Sequence, residues 1–301
     1  SPSGSAVMGG QGPGDDHRLC HSCSAKPLGH ILHTLWLLLL LLAILSGGLL
    51  ISVLRTEKVE NTCNGEIEHL RSIRNTLSAR LNNLSKQAAI LSCQNNSDDA
   101  KNKVSNVGGW CEKMEDVKGN SYGHSTDQPL ARGIATFLKG KKVASFGDGR
   151  GHYKAYIDTL KLVQLYDAYD GGPFYDIVSG GRVKYIDLTI PQYGMPVYDW
   201  IISLEVAEHI PKAFEATYLD NIARHAEEGI ILSWAIPGQP GVQHVNLQPL
   251  YYVCFELSKL GFTYNEGESK HLRQTASLIH LKNNVAVFRR NPTAVINLNN
   301  V

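Results

Sequence analysis

A glycine-rich turn follows an apolar run near the middle of the chain. The segment from Val143 to Phe146 is typical of a buried strand, and Gly147, Gly149 and Gly151 follow it before helix-forming sequence. Glycine permits a sharp turn and lets a ligand lie directly against the backbone. A helix that begins after such a turn presents N–H groups that can hold a carboxylate or a phosphate. This stretch therefore predicts a loop that binds a nucleotide-containing cofactor.

The spacing of the glycines argues against a dinucleotide site. Dinucleotide-binding loops carry the third glycine three places after the second. Here Gly151 comes two places after Gly149, and His152 occupies the expected position. A dehydrogenase is therefore disfavoured, and a tight turn without a ligand is the alternative if this motif is taken alone.

Acidic residues end the next two predicted strands. The segment from Leu162 to Asp167 is expected to be a strand, and Asp170 is a competing candidate for its terminal acid. In a Rossmann-like fold, a carboxylate about twenty residues after the glycines binds the two ribose hydroxyls. A third strand is expected from Val183 to Asp187. A solvated acid at a strand end is the alternative role for Asp167.

A second group of chemically versatile side chains follows the fourth predicted strand, Tyr198 to Leu204. The run Glu205-Val206-Ala207-Glu208-His209 comes directly after this strand. A fifth strand is predicted to end at Trp234, and the loop that follows it contains Gln239 and His244. Because the carboxyl ends of parallel strands form the ligand crevice, we expect both stretches at the same edge of the sheet.

Together these motifs resemble those of class I S-adenosylmethionine (SAM) methyltransferases. The G-x-G-x-G loop resembles the first motif of that family, although Ser145 stands where the family usually has an acid. The E-V-x-E-H-I-P run resembles the motif after strand 4 of many small-molecule methyltransferases. The resemblance covers about residues 125–290. It implies an α/β, Rossmann-like fold with a seven-stranded, mostly parallel sheet, helices on both faces and an antiparallel last strand.

The resemblance also implies roles for individual residues. Asp187 matches the position that contacts the adenine amino group. The implied cofactor is SAM, and the residues implied to bind it are Gly147, Asp148, Gly149, Gly151, Asp167, Asp187 and Glu205. The loop after strand 5 also resembles that of methyltransferases acting on glycans. Contacts with the acceptor are accordingly expected from Glu208, Trp234, Gln239 and Asn246. Core packing is the alternative role of Trp234.

Two histidines are candidates for the catalytic base. A sugar hydroxyl is a weak nucleophile at neutral pH, so a positioned base assists its reaction, and histidine suits this task. We rank His244 before His209. The alternatives are substrate binding without proton transfer for His244 and structural packing for His209. Glu205 and Glu208 can orient a histidine or bind a divalent metal, but the sequence does not indicate a metal site.

An apolar stretch near the beginning of the chain predicts a membrane anchor. Residues 31–54 contain no charged residue and are dominated by leucine. At about 1.5 Å per residue, a helix of this length crosses a bilayer core of about 30 Å. A signal peptide is the alternative, but the run is long and lacks a convincing cleavage site. Residues 1–30 are expected to form a disordered cytoplasmic tail.

Residues 55–107 are predicted to form a stem. From Cys63 to Leu91, apolar residues recur at alternating steps of three and four, interrupted by Arg74. This pattern is typical of the a/d seam of a coiled coil and predicts a homodimer, with a single helix or a loose spacer as the alternative. Cys63 lies on the seam, where an interchain disulfide is possible. Cys93 and Cys111 can also pair, although the sequence alone does not show that they do.

The order of the segments resembles that of Golgi type II membrane enzymes, with residues 108–301 as the lumenal domain. Asn83 and Asn95 begin N-glycosylation sequons, which are used on the lumenal side. The positive-inside count does not favour this orientation, because more basic residues follow the apolar stretch than precede it. A formal net charge of +1 gives no reason to expect nucleic acid as a partner.

The favoured function is SAM-dependent O-methylation of a hexose hydroxyl in a glycan or glycoprotein, in the secretory pathway. A methyltransferase of small molecules or protein side chains would share the cofactor motifs and is the first alternative. A non-catalytic, membrane-tethered binding module is the second, because Ser145 departs from the first motif.

Overall fold

The computed structural model describes residues 28–95, 105, 108–111 and 126–292. Helix α1 covers Leu28–Asn95 and contains both the predicted anchor and most of the predicted stem. Its N-terminal part is long and apolar enough to cross a membrane, a property that a signal sequence shares. The chain divides into two compact units, Ser1–Ile67 and Glu68–Val301. Most of the predicted N-terminal tail lies outside the described residues.

The second unit is built on a seven-stranded sheet in the order β3-β2-β1-β4-β5-β7-β6. The first five strands in this order, β3, β2, β1, β4 and β5, are all parallel to their neighbours. β7 is antiparallel to both β5 and β6. The strands are β1 (Lys142–Phe146), β2 (Leu165–Asp170), β3 (Val183–Tyr185), β4 (Tyr198–Leu204), β5 (Ala226–Ser233), β6 (Phe262–Asn265) and β7 (Ala286–Arg290). The expected Rossmann-like fold, with its antiparallel last strand, is confirmed.

Helices cover both faces of the sheet. One core lies beneath the helices Glu215–His225 and Leu250–Lys259 on one face, and a second lies beneath the remaining helices, including Tyr175 of the helix Tyr175–Val178, on the other. The helices of this unit that follow α1 are α2 (Gln128–Phe137), α3 (His152–Leu160), α4 (Tyr175–Val178), α5 (Glu215–His225), α6 (Leu250–Lys259), α7 (Glu266–Thr275) and α8 (Ile279–Asn284). Strands covered on both faces are expected to be continuously apolar, and Trp200, Ile201 and Ile202 of β4 are all buried.

The C-terminal part of α1 packs against the globular part of its own unit. Ser78 and Ala89 are buried there. The amide of Asn82 donates to the Tyr185 carbonyl at 3.1 Å and accepts from the Asp187 N–H at 2.9 Å. This part of the predicted stem therefore contributes polar contacts close to the carboxyl end of β3.

The predicted coiled-coil seam lies on a different side of α1. The helical conformation predicted for Cys63 to Leu91 is confirmed. Large apolar side chains of the seam are exposed: Ile67, Leu70, Leu77, Leu81, Leu84 and Leu91. The buried residues Ser78 and Ala89 each follow a seam position by one residue, so contact with the globular part leaves the large apolar side chains of the seam exposed. The coiled coil and the homodimer stay predictions, as does the glycosylation of Asn83, which is exposed, and of Asn95.

A disulfide joins Cys93, near the end of α1, to Cys111. The sequence left this pairing open, and the structure contains it. Cys63 is a free, exposed cysteine. Disulfides persist in oxidising compartments and are rare in the cytosol, so the bond bears on where the chain resides.

Loss of this disulfide should lower the stability of the globular part. The two cysteines are 18 residues apart. Cross-links that close loops of about 15 residues contribute about 3 kcal/mol, mainly by restricting the unfolded chain. We expect the double substitution Cys93→Ser and Cys111→Ser to lower the unfolding free energy by about this amount in denaturant titrations. Cys63→Ser is the matched control and should have no effect; equal stability of the double variant and wild type would contradict the prediction.

Candidate active site at the strand ends

A cavity of about 380 Å³ opens at the carboxyl ends of β1, β2 and β4. Strand order reverses beside β1, and such a switch point is where open parallel sheets bind ligands. The lining residues used below are Gly108, Gly109, Trp110, Gly147, Asp148, Gly149, Asp170, Asp187, Glu205 and His209. The glycine turn and the second motif, distant in sequence, thus border the same cavity.

The glycines of the turn meet different requirements. A Cβ on Gly147 would lie 2.1 Å from Cγ2 of Val206, so the turn after β1 and the motif after β4 pack in direct contact. A Cβ on Gly149 would meet no atom within 4 Å, and φ there is +62°. Both positions therefore need glycine, the first for packing and the second for its left-handed backbone beside the cavity.

Asp148 is buried within the turn. The Tyr166 hydroxyl donates to its Oδ1 at 3.0 Å, and the Lys154 N–H donates to its Oδ2 at 3.2 Å. Burial raises the pKa of this carboxyl to about 7. The sequence predicted that the N–H groups at the start of α3 would be available to a ligand. In the structure, the Lys154 N–H of this turn is instead bound by the Asp148 carboxyl.

The acid at the end of β2 is Asp170, and the prediction that placed it at Asp167 is wrong by three residues. Asp170 lines the cavity and accepts hydrogen bonds from Gly149 and Gly172, both at 2.7 Å. Asp167 lies within the strand and accepts a hydrogen bond from the Tyr198 hydroxyl at 2.8 Å. The error arose because β2 begins later than its apolar run suggested.

Asp187 lines the cavity beyond the end of β3. Its Oδ1 accepts from both the N–H and the hydroxyl of Thr189, at 2.8 and 2.6 Å. The Ser85 hydroxyl of α1 donates to its Oδ2. These bonds fix the position of the carboxylate, and they make α1 part of the support for this side of the cavity.

Glu205 begins the second motif in a strained conformation. Its φ is +54°, which costs a non-glycine residue on the order of 1–3 kcal/mol. Its N–H donates to the Ser233 hydroxyl at 2.8 Å, and the Gln239 amide donates to its Oε2 at 3.2 Å. Such strain persists only where surrounding contacts enforce it, and it concentrates at functional sites.

The two histidines proposed from separate stretches come together with Glu208. One ligand atom from each of Glu208, His209 and His244 lies within 4.8 Å of the other two. The histidine rings are 5.2 Å apart between centroids. The loop is held in place because the N–H groups of Val245 and Asn246 donate to the Glu208 carbonyl at 2.9 and 3.0 Å.

Both histidine rings have a backbone carbonyl beside Nδ1. Nδ1 of His209 lies 3.3 Å from the Gln243 carbonyl, and Nδ1 of His244 lies 3.4 Å from that of Gln239. A carbonyl only accepts, so Nδ1 is the donor in each ring. His209 lines the cavity, and His244 is partly exposed.

Glu208 has an unusual environment for an acid. Its side chain is fully buried, and neither carboxylate oxygen accepts a hydrogen bond of normal geometry from a described residue. Burial, followed by the nearby charge of Glu205, raises its pKa well above the usual range. Because it does not line the cavity, the expectation that it contacts the acceptor directly is not met.

Two further residues expected to bind the acceptor are buried. Trp234 donates from Nε1 to the Asn246 carbonyl at 2.6 Å, and the Asn246 amide donates to Glu215 at 2.8 Å. Neither residue lines the cavity, so both are corrected to positioning residues for the loop that carries His244. Gln239 is half-buried and accepts a hydrogen bond from Asn284 at 2.6 Å while it donates to Glu205.

No family model matches the sequence, and no curated protein matches it. Solved structures do match. Magnesium protoporphyrin IX methyltransferase from Synechocystis PCC 6803, with bound SAH, is 15% identical over 59% of this chain and 94% of its own, with a TM-score of 0.44. The sugar N-methyltransferase KedS8 from Streptoalloteichus sp ATCC 53650 is 13% identical over 58% and 90%, with a TM-score of 0.45. The CcbJ methyltransferase from Streptomyces caelestis is 8% identical over 63% and 99%, also at 0.45. These proteins are similar to this chain in fold alone.

Sequence reasoning missed the segment that crosses the cavity near the disulfide. Gly108 and Gly109 were placed at the start of the lumenal domain without a role, but a Cβ on Gly109 would lie 2.4 Å from the Gly171 carbonyl oxygen. The Trp110 ring packs edge-on against His209, with centroids 5.7 Å apart. Adjacent glycines followed by tryptophan and Cys111 were the available signal, because bulky and minimal side chains together indicate close packing.

The pH dependence of stability should report on Asp148. Its folded pKa of about 7 exceeds the ordinary value of 3.8, so the folded chain keeps a proton that the unfolded chain loses. The part of the unfolding free energy that comes from this proton is complete when the pH is below the pKa of Asp148 in the unfolded chain. It is lost as the pH rises to the pKa in the folded chain, and the loss is on the order of 4 kcal/mol.

We therefore expect Asp148→Asn to be more stable than wild type at about pH 8 and to lose less stability between about pH 5 and pH 8. Denaturant titrations at the two pH values measure this difference. Glu266→Gln makes the same chemical change at an exposed position and should keep the wild-type slope. Identical slopes for Asp148→Asn and wild type would contradict the prediction.

Proposed function

We propose that this protein is a SAM-dependent methyltransferase that acts on a hydroxyl group of a glycan. The observation that carries the proposal is the cavity itself. One side has a glycine turn and two strand-end acids. The other side has His209, which lies next to His244 and the buried Glu208. The first side suits a nucleoside cofactor, and the second suits an acceptor that must lose a proton.

The residues on the cofactor side fit SAM. The open backbone at Gly149 allows a ligand to lie against it. Asp170 is placed as the acceptor for two ribose hydroxyls, a task that needs paired carboxylate oxygens at the end of the second strand. Asp187 lies farther along the same wall, where the adenine is expected. Gly147, Asp148 and Glu205 border the cavity between them and complete the proposed cofactor site. Gly151, also expected there, does not line the cavity and packs against Val183.

SAM, when bound, supplies the methyl group on a sulfonium, so the chain needs no nucleophile of its own. The protein aligns the acceptor for in-line displacement and keeps water away from the reacting atoms. Trp110 and Val206 contribute apolar surface to the cavity. His209 on the cavity wall and the neighbouring His244 provide ring nitrogens on the acceptor side.

A lumenal location is proposed from three independent features of the chain. The disulfide between Cys93 and Cys111 favours an oxidising compartment. The apolar part of α1 meets the length requirement for a single membrane crossing. The sequons at Asn83 and Asn95 would be used only on the lumenal side. Together they support a type II anchor in a Golgi membrane, where glycans are the abundant hydroxyl-bearing acceptors.

Binding of SAM tests the cofactor side. We expect the full chain, purified in detergent, to bind SAM but not NAD in calorimetric titrations. Asp170→Asn should weaken SAM binding about tenfold, because charge-assisted hydrogen bonds to the ribose contribute about 1.4 kcal/mol or more. Asp167→Asn is the matched control and should leave the affinity unchanged, since Asp167 bonds to Tyr198 away from the cavity. Binding of NAD, or a larger effect at Asp167, would argue against the assignment.

Transfer of labelled methyl groups tests the acceptor side. We expect label from SAM to enter ether linkages on hexose-containing glycans and not protein side chains or free small molecules. His244→Gln should lower the transfer rate about 100-fold or more, in the range of removing a group that assists proton loss. Its affinity for SAM should be unchanged. Label found only in protein side chains or small molecules would replace the glycan proposal, and full activity of the variant would remove His244 from the mechanism.

A further inference from the structure

We propose that Glu208, His209 and His244 form a binding site for a divalent transition-metal cation beside the cavity. The three side chains come from two segments, the turn after β4 and the loop after β5, and their ligand atoms converge within 4.8 Å. Bonds from a divalent ion to nitrogen or oxygen are about 2.0–2.2 Å, so two ligands at a tetrahedral angle on one ion lie about 3.3–3.6 Å apart. Side-chain shifts of about 1 Å bring the three ligand atoms to that spacing.

The environment of Glu208 is the second, independent observation. Its side chain is fully buried, and both carboxylate oxygens lack a partner of normal hydrogen-bond geometry among the described residues. A buried polar group without a partner is costly, and a buried charge without one is more so. Oε1 of Glu205 is also buried without a partner. A cation bound between these side chains would provide a partner for the buried oxygens of both Glu208 and Glu205.

The orientation of the histidines agrees with a role as ligands. In each ring Nδ1 faces a backbone carbonyl, from Gln243 for His209 and from Gln239 for His244. Metal-binding histidines usually donate one ring N–H to a carbonyl or carboxylate, which fixes the ring and leaves the other nitrogen for the metal.

The donor set indicates the class of ion. Two imidazoles and a carboxylate suit Mn²⁺, Fe²⁺, Co²⁺ or Zn²⁺, whereas Mg²⁺ and Ca²⁺ prefer sites made of oxygen atoms. Three protein ligands leave coordination positions for other oxygen atoms, as in catalytic metal sites. His209 faces the cavity and His244 is partly exposed, so an acceptor can approach from that side.

The catalytic consequence rests on the proposed function. An acceptor hydroxyl bound to the cation would have a lowered pKa, which favours the oxygen as a nucleophile at neutral pH. The oxygen–carbon bond then forms as the sulfur–carbon bond breaks, with the electron pair of that bond remaining on sulfur. The hydroxyl proton passes to water at the open side. In this arrangement the two histidines act as ligands and not as bases.

Manganese binding tests the site directly. We would titrate the full chain in detergent with Mn²⁺ and follow free and bound ion by electron paramagnetic resonance, without SAM or acceptor. We expect one site per chain, with binding at least about 100-fold weaker in Glu208→Gln and in His244→Gln, each of which removes one of three protein ligands. Because Glu208 is buried, His244→Gln on the partly exposed loop is the variant that keeps the test valid if Glu208→Gln does not fold.

The matched control is the pair Glu266→Gln and His271→Gln, which makes the same chemical changes at exposed positions of α7. It should bind Mn²⁺ like wild type. Absence of Mn²⁺ binding by wild type, or equal binding by His244→Gln, would overturn the metal site. Methyl transfer that continues at full rate after chelation would overturn its catalytic role while leaving the methyltransferase proposal intact. If the wild type binds Mn²⁺ but not SAM, the metal site is supported and the proposed methyltransferase function is contradicted.

Discussion

The candidate site depends on the direct contact between the turns that follow β1 and β4. These strands are neighbours in the sheet, so the turns at their carboxyl ends emerge side by side. A side chain at Gly147 would overlap Val206, and the absence of one brings the two turns together. This contact fixes the position of the strained residue Glu205. It thereby sets the distance between the cofactor wall and the histidine cluster.

The parts of the fold that the sequence predicted best are those governed by local pattern. β4 was predicted with its observed ends because its residues are continuously apolar and a cluster of charged residues follows directly. The glycine turn was recognised because left-handed backbone conformations demand glycine. For His209 and His244, the sequence predicted only that both lie at the same edge of the sheet. They are in contact because the strands that precede them, β4 and β5, are parallel neighbours.

The parts that sequence reasoning missed depend on contacts distant in the chain. The end of β2 was misplaced because an apolar run gives no sign of where pairing with β1 begins. Trp234 and Asn246 resemble ligand-binding residues in type, but their hydrogen bonds hold a loop. The contacts of α1 with Asp187 involve small polar residues that no apolar periodicity reveals. Such features require knowledge of the partner surface.

In the proposed lumenal location, the contact between Ser85 and Asp187 would impose an order on the maturation of the chain. Ser85 is the hydroxyl residue of the acceptor triplet that begins at Asn83, and in the folded protein its side chain donates a hydrogen bond to Asp187. An oligosaccharide transferase that binds this hydroxyl would have to act on the nascent chain, before α1 packs against the sheet. Occupancy at Asn83 would then record how quickly folding follows translocation, and a slow-folding variant would carry more sugar there than the wild type.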